Sequence, residues 1–351
     1  MKFLDLCPDN RLARFQKRFR QIEESGIYLF GAQLAELEQT FPPSVGFKYG
    51  IAVKNATDAL TMLLSELLRK NPDKTVICPN FTAYPTAVAI KNNTDKIYYV
   101  DVDESLTIDV NKLPDIEDAI VVAVNLFGNN ANLPALRRYC NVNNSILIED
   151  CAQSTGSEVL PRVSDFAVYS FYPTKPLGSM GDGGMICFNE EKLVEIFKTM
   201  RFYGQEGDKI AGFGVNSRMD EWQCAVVLEK MSDYRLQNTK RQWIARQYEL
   251  LMDGFNVKPS NCIKVHTNCV YHQFPVLYRN RTKALAELKK RGIPYLIHYP
   301  WHIPDMPVLR GIHNKVGFRV NDRIVSLPAH PHLTVNEMMI INKFWIENDN
   351  T

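Results

Sequence analysis

The sequence has no excess of charge of either sign. Its 351 residues include 41 Lys and Arg against 39 Asp and Glu, which gives a formal net charge of +2. Nucleic-acid-binding domains carry a basic patch, and membrane-surface segments carry basic tracts, so this balance favours neither kind of partner. Apolar residues make up 45% of the chain and charged residues 23%, a mixture typical of a globular protein rather than a disordered one.

Long apolar runs and paired cysteines are missing as well. Residues 1–15 contain no apolar core of a signal peptide, and no run approaches the roughly 18 residues of a membrane span. The eight cysteines are scattered and none forms a C-x-x-C pair, which argues against a zinc or redox site. Cys78 and Cys187 lie in apolar, strand-like runs, where free thiols would be buried in a reducing compartment. We therefore expect a cytoplasmic protein.

Short apolar strands alternate with amphipathic helices through the first half of the chain, between residues 48 and 150. This alternation is typical of a largely parallel sheet with helices on both faces. Residues 165–188 are predicted to continue the sheet with a hairpin-like return, and residues 217–254 to form one long helical stretch that bridges two domains. We predict an α/β protein with a large domain over residues 1–235 and a small C-terminal α/β domain over residues 236–351.

Two segments carry residue types suited to a phosphorylated cofactor. NATDAL at 55–60 follows a strand and opens a helix, whose N-terminal N–H groups and dipole favour a phosphate. Asn55 or Thr57 could also simply cap that helix. IEDCAQ at 148–153 places Asp150 at the carboxyl end of an apolar strand, where α/β sheets bind ligands. A carboxylate there can pair with a protonated pyridine nitrogen, or it could merely cap the next turn.

A third segment, SFYPTK at 170–175, places Lys175 just past a strand, between Pro173 and Pro176. The prolines restrict the backbone and help to aim the side chain. A lysine amine becomes a Schiff-base nucleophile when its surroundings lower its pKa, whereas a lone lysine in a turn is ordinarily a solvated surface residue. A phosphate site, an acidic residue at a strand end and then a lysine, in this order, form the arrangement that pyridoxal-phosphate (PLP) chemistry needs.

Together with GDGGM, GVNSRMDEWQ and LPAHPHLT, these motifs resemble those of the DegT/DnrJ/EryC1/StrS family of PLP-dependent sugar aminotransferases. The resemblance extends over about residues 28–340. It implies the fold-type-I, aspartate-aminotransferase-like architecture and a homodimer with shared active sites. It also implies transfer of an amino group from L-glutamate, through PLP, to a 3- or 4-keto deoxy sugar linked to a nucleoside diphosphate.

The resemblance also implies roles for individual residues. Lys175 would form the Schiff base with PLP, Asp150 would pair with the pyridine nitrogen, and Gln153 would contact the ring hydroxyl. The phosphate contacts would be Ala56, Thr57 and Ser170 in the same chain and Asn216 from the neighbouring subunit.

The sequence departs from the family pattern near the cofactor ring and the substrate. Ala83 falls where the family has an aromatic residue that stacks on the ring, so the adjacent Tyr84 is the candidate for that role. Asn125 stands where a histidine is common. The substrate candidates are Tyr299 and His302 in the YPWH loop, with Arg218 and Arg201, which could meet a pyrophosphate or could be ion-pair partners.

Other functions remain open at this point. A PLP-dependent sugar dehydratase would have histidine in place of Lys175, and a non-catalytic protein of this fold would be expected to have lost Lys175 or Asp150. An amino-acid aminotransferase that uses no nucleotide sugar is also compatible with these motifs. His330 and His332 could suggest a metal, but no third ligand is evident, and structural histidines in a Pro-rich turn are the better interpretation.

Overall fold

The computed structural model describes residues 1–6, 12–158, 160–254, 263–265 and 268–347. A seven-stranded sheet in the order β1-β7-β6-β5-β4-β2-β3 forms its centre. The strands are β1 (Tyr49–Val53), β2 (Val76–Pro79), β3 (Ile97–Val100), β4 (Ile120–Val124), β5 (Ile146–Asp150), β6 (Phe166–Ser170) and β7 (Gly184–Phe188). Within this sheet β7 alone is antiparallel to its neighbours, β1 and β6. The predicted parallel sheet with a hairpin-like return is confirmed.

The helices of the large domain cover both faces of this sheet. Strand β4 (IVVAV) lies between two parallel neighbours and is apolar and buried along its whole length, as expected where helices cover both faces of a sheet. The helices are α1 (Leu12–Ser25), α2 (Ala32–Ser44), α3 (Ala56–Arg69), α4 (Tyr84–Lys91), α5 (Leu133–Val142) and α6 (Leu193–Met200). A small hairpin, β8 (Gln205–Glu206) and β9 (Lys209–Ile210), follows α6.

The long helical stretch predicted over residues 217–254 is present, but it begins at Glu221 and is interrupted after Lys230. The structure has two helices, α7 (Glu221–Lys230) and α8 (Tyr234–Gly254). Arg14 of α1 holds the break, because its guanidinium donates to Ser232 Oγ at 2.7 Å and to Asp233 Oδ2 at 2.8 Å. These long-range bonds stabilise a turn that the local helical pattern does not reveal.

The C-terminal region has a core of its own. Strand β10 (Phe274–Leu277) pairs antiparallel with β11 (Ile324–Leu327). Helices α8, α9 (Arg281–Lys290) and α10 (Val335–Glu347) surround this pair and bury an aromatic and aliphatic cluster that includes Tyr248, Phe274 and Trp345. The predicted domain boundary after residue 235 falls inside α8 and stays a prediction. In the part of the chain that the structure describes, no helix is long and apolar enough to cross a membrane.

Candidate active site

A cavity of about 510 Å³ lies where three adjacent parallel strands end. Strands β4, β5 and β6 are neighbours in the sheet, and their carboxyl ends place Val124, Asp150 and Ser170 on its wall. The N-terminus of α3 and the loop after β6, which carries Lys175, complete the wall. This is the edge at which open α/β sheets bind ligands.

The N-terminus of α3 forms one end of the cavity. Asn55 caps the helix, because its side-chain oxygen accepts from the Asp58 N–H at 2.7 Å and its carbonyl accepts from the Ala59 N–H at 3.1 Å. Ala56 and Thr57 line the cavity, and the first N–H groups of a helix have no partner within the helix. Gly184 of β7 permits this arrangement, since a Cβ there would lie 2.6 Å from the Ala56 nitrogen. The helix end is therefore suited to an anion.

Asp150 is buried and hydrogen-bonded through both carboxylate oxygens. The Thr86 hydroxyl donates to Oδ2 at 2.7 Å, and the Ala152 N–H donates to Oδ1 at 3.1 Å. Burial raises the pKa of Asp150 above its usual value, while these two hydrogen bonds and the nearby Lys175 oppose that rise. Asp150 thus does bond the following turn, as the simpler interpretation required, and it also lines the cavity.

Lys175 lies on the same wall, on a turn in which its N–H donates to the Tyr172 carbonyl at 2.9 Å. Burial lowers the pKa of the Lys175 amine to about 8, against the opposing charge of Asp150. A minor but appreciable fraction of the amine is therefore neutral, and so nucleophilic, near physiological pH, whereas an ordinary lysine has almost none. A solvated surface lysine would keep a pKa near 10.4 and would be almost fully protonated at that pH.

Gln153 is fixed by two elements far from it in sequence. Its Oε1 accepts from the Phe127 N–H at 2.7 Å, and its Nε2 donates to the Tyr299 hydroxyl at 3.0 Å. One N–H of the amide remains for a ligand in the cavity that Gln153 lines. Ser170 also lines the cavity, and its Oγ accepts from the Tyr172 N–H at 3.3 Å. Tyr299, a substrate candidate, is thus connected to the cavity by its hydrogen bond with Gln153 and does not itself line the described wall.

The structure does not support the candidate ring-stacking role of Tyr84. Ala83 and Pro85 line the cavity, but Tyr84 is not among the lining residues of the described chain. Its ring packs against Tyr299, with 5.6 Å between the ring centroids.

The structure places His302 inside the fold, not on the wall of the cavity. Its side chain is fully buried, and both ring nitrogens face partners within the protein. The Val320 N–H donates to Nε2 at 3.3 Å, and Nδ1 lies 3.4 Å from Asn80 Oδ1. Burial lowers the pKa of His302 to about 4, so the ring is neutral. His302 ties the loop around residue 320 to the end of β2.

The two arginine candidates lie outside the cavity. Arg201 is buried in an ion pair with Glu38 and donates to the Ala52 carbonyl at 3.0 Å, so it is an ion-pair partner. Arg218 donates to Asn216 Oδ1 at 2.9 Å and stacks its guanidinium over Phe202. Neither Arg218 nor Asn216 lines the cavity of its own chain in the described residues.

Sequence reasoning missed Thr86, the residue that holds Asp150. Thr86 and Asp150 are 64 residues apart, and no local pattern links them. Asn125, which stands where the family commonly has a histidine, is bonded within the fold. Its Oδ1 accepts from the Ala131 N–H at 2.9 Å and its Nδ2 donates to Glu149 at 3.1 Å. His330 bonds the Lys2 carbonyl at 3.2 Å, and the described residues contain no group of three or more potential metal ligands.

Comparison with known proteins gives one consistent result. The family described as the DegT/DnrJ/EryC1/StrS aminotransferase family matches residues 10–344. A UDP-2-acetamido-2-deoxy-3-oxo-D-glucuronate aminotransferase of Pseudomonas aeruginosa is 32% identical, over 97% of this chain and 98% of the relative. A dTDP-3-amino-3,6-dideoxy-alpha-D-galactopyranose transaminase of Aneurinibacillus thermoaerophilus is also 32% identical, over 96% of each chain.

A solved structure has the same fold. The structure of S. venezuelae DesV in complex with a ketimine intermediate superimposes with a TM-score of 0.90 at 26% identity, and the match covers 100% of this chain and 98% of the other. The fold class that the resemblance implied, a PLP-enzyme α/β fold with a large mostly parallel sheet, is confirmed.

Proposed function

The chain belongs to the DegT/DnrJ/EryC1/StrS aminotransferase family, and from this premise we propose that it transfers an amino group from L-glutamate, by way of PLP, to a keto sugar on a nucleoside diphosphate. The family is one of PLP-dependent aminotransferases. The two relatives are named for UDP- and dTDP-linked sugars, and this chain spans nearly their whole length. The observation that carries the proposal is the placement of Lys175, Asp150 and the α3 N-terminus around one cavity.

The side chains present fit PLP. The N–H groups of Ala56 and Thr57 and the hydroxyl of Ser170 would hold its phosphate, because they line one cavity and include the start of a helix. Asp150 would hold the pyridine nitrogen and Gln153 the ring hydroxyl. When bound through Lys175, PLP supplies an electron sink for the negative charge that proton removal leaves on the substrate carbon.

Lys175 would have a second task as the proton carrier of the reaction. The amine lies in a site where burial lowers its pKa to about 8. Nζ would take the proton from the α-carbon of glutamate in the first half-reaction and would give a proton to the sugar carbon that receives the amino group in the second. A pKa near the working pH suits both directions of transfer, because neither protonation state is rare.

Asp150 would keep the pyridine nitrogen protonated. A carboxylate can do so only when it is ionised, and burial alone would favour its neutral form. The hydrogen bonds from Thr86 and Ala152 stabilise the charge without occupying the whole carboxylate. The two donors therefore make a buried carboxylate usable as a counter-charge.

We further propose a homodimer with shared active sites and a reducing, cytoplasmic location. Asn216 is exposed and outside the cavity of its own chain, which fits a residue that contacts the cofactor of a second subunit. The six cysteines that the structure describes are buried free thiols, which suits a reducing compartment.

The first test is the visible spectrum of the PLP-loaded protein before and after addition of L-glutamate. We expect the band of lysine-bound cofactor to disappear as the cofactor takes up the amino group. A band that ignores glutamate would favour another donor or the dehydratase. The absence of any cofactor band after addition of PLP would favour the non-catalytic alternative.

The second test compares acceptors with the same aminated enzyme. UDP- and dTDP-linked 3-keto and 4-keto sugars are offered beside free keto acids, and restoration of the original band is followed. We expect a nucleotide-linked keto sugar to react fastest. Because 2-oxoglutarate is the product of glutamate donation, it must react, so the keto acids that count are others; one of these reacting as fast as every sugar would overturn the substrate class while leaving the transaminase intact.

A further inference from the structure

A second cavity, of about 70 Å³, shares Lys175 with the active site and lies against α8. We call it the rear cavity. Its walls are residues 4–6, 173–176, 178, 230, 233–234 and 330–332, together with Gln237 and Arg241 of α8. Gln237 and Arg241 are four residues apart on the helix and therefore lie on the same face. The lining is polar, which distinguishes it from the empty apolar holes of protein cores.

Arg241 brings an unbalanced positive charge into this cavity. The side chain is buried, and within the described residues its one hydrogen bond joins a guanidinium N–H to Asn238 Oδ1 at 3.1 Å. Asn238 is neutral and donates in turn to the Thr155 carbonyl. Burial lowers the pKa of Arg241 to about 10, so the guanidinium is still charged at neutral pH. A buried charge without a counter-ion is strongly unfavourable.

The carboxylates on the wall do not balance this charge. Asp5 is paired with Lys2 at 3.1 Å, and Asp233 is paired with Arg14 at 2.8 Å. Both partner cations lie outside the wall of the cavity. The lining thus lacks an acidic group dedicated to Arg241 in the part of the chain that is described.

Two residues of the wall carry buried acceptors that have no donor among the described residues. Gln237 Oε1 and His330 Nδ1 are buried without a hydrogen-bond partner among the described residues. His330 is more than nine-tenths buried, and its Nε2 faces the Lys2 carbonyl, so Nε2 carries the proton and Nδ1 is a bare acceptor. Burial also lowers the pKa of His330, which keeps the ring neutral. An occupant must therefore accept from Arg241 and donate to neutral acceptors.

We propose that the rear cavity binds one small hydrogen-bearing oxyanion, of the hydrogen phosphate class. Such an ion accepts from the Arg241 guanidinium through its charged oxygens and donates its own O–H to Gln237 or His330. It supplies the missing negative charge and the missing donor together. Chloride and carboxylates provide the charge but no donor, and water provides the donor but no charge.

The experiment is equilibrium dialysis of the PLP-loaded protein against labelled inorganic phosphate at constant ionic strength. The bound cofactor fills the phosphate site at α3, so that site does not compete. We expect one phosphate per chain, and acetate at the same concentration should displace it at least about tenfold less well, because acetate has no O–H to donate. No saturable phosphate binding would mean that the cavity holds water alone, and equal competition by acetate would overturn the hydrogen-bearing class.

Gln237→Glu is the deciding variant. It keeps the size of the side chain and supplies Arg241 with a carboxylate four residues away on the same helix face. We expect phosphate binding to weaken at least about tenfold and the thermal midpoint to rise, since the charge is now paired internally. Gln247→Glu, on α8 but outside the cavity, is the matched control and should change binding less than about twofold. Equal binding by Gln237→Glu and Gln247→Glu would overturn the proposal.

This readout is binding, not turnover. A failure of the proposed sugar substrate would leave the phosphate result unchanged, and a failure of phosphate binding would leave the aminotransferase assignment unchanged.

Discussion

The active-site wall and the loop of residues 298–320 contain similar residue types but differ in how those residues are used. In the loop, Asp101 of the large domain accepts from Gly317 at 2.9 Å, Arg319 pairs with Asp305 at 2.9 Å, and His302 is bonded within the protein. On the wall, the Lys175 amine and the N–H groups that open α3 remain for a ligand. Residue type alone therefore identifies candidate ligand-binding residues. A candidate belongs to a binding site only if its hydrogen-bonding groups are not already used within the protein.

The largest effect is expected at Lys175. Lys175→Ala should lower turnover by at least about a thousandfold, because the variant loses both the covalent anchor and the proton carrier. Steady-state transamination measures the loss. Lys192→Ala, at an exposed lysine paired with Glu190, is the control and should leave turnover unchanged. A Lys175→Ala enzyme within about tenfold of the parent would refute the assignment.

The second prediction uses the lowered pKa of Lys175, which burial brings to about 8. The neutral amine is the attacking form, so covalent attachment of PLP to the apoprotein should accelerate by nearly tenfold per pH unit below 8 and level off above it. N-α-acetyl-lysine in the same buffers corrects for titration of PLP itself and should keep accelerating to about pH 10. Parallel curves for the protein and the free amine would show that Lys175 titrates as an ordinary lysine.

A smaller effect is expected at Thr86. Thr86→Val removes the hydroxyl that donates to Asp150 Oδ2, so the pKa of Asp150 should rise further. The acid limb of the kcat profile should move to higher pH, and kcat at neutral pH should fall by about three- to tenfold. Thr82→Val is a close control, because the Thr82 hydroxyl is buried without a partner among the described residues. An unshifted acid limb would count against this role of Thr86.

A variant at His302 tests the loop of residues 298–320, where we expect polar side chains to stabilise the fold and not to bind substrate. His302→Leu leaves the buried Val320 N–H without its acceptor, so the free energy of unfolding should fall by about 1–3 kcal/mol, measured in urea, with kcat changed less than about twofold. The exposed neighbour variant Trp301→Leu should be near neutral. A selective loss of kcat in a stable His302→Leu protein would restore His302 as a substrate ligand.

The pH dependence of stability offers a further check on the same variant. The folded-state pKa of His302, about 4, is below the ordinary histidine value near 6.5, so its contribution is present above 6.5 and is lost as the pH falls toward 4. The difference in unfolding free energy between parent and His302→Leu should therefore shrink across that window.

The sequence alone predicts the part of the site that depends on local pattern. Asp150 and Lys175 each follow a short apolar strand, and Asn55 stands before a helix, so their positions at one sheet edge follow from chain order and strand polarity. The bond from Thr86 to Asp150, the ring direction of Tyr84 and the burial of His302 depend on distant partners. The same limit applies to the helix break at Ser232 and Asp233, which Arg14 stabilises from another helix.

Strand β7 has a consequence for the order in which this protein is assembled. It fills the gap between β1 and β6, and its register pairs Gly50 with Cys187, two residues 137 positions apart. After β1 has been synthesised, translation of the residues up to β7 therefore takes roughly 7–27 s at ordinary rates of protein synthesis, and the two strands cannot pair before then. Because Gly184 of that neighbour also packs against the start of α3, the anion-binding end of the cavity cannot close on a nascent chain that is shorter. A chain shorter than about 188 residues therefore lacks a complete site for the cofactor.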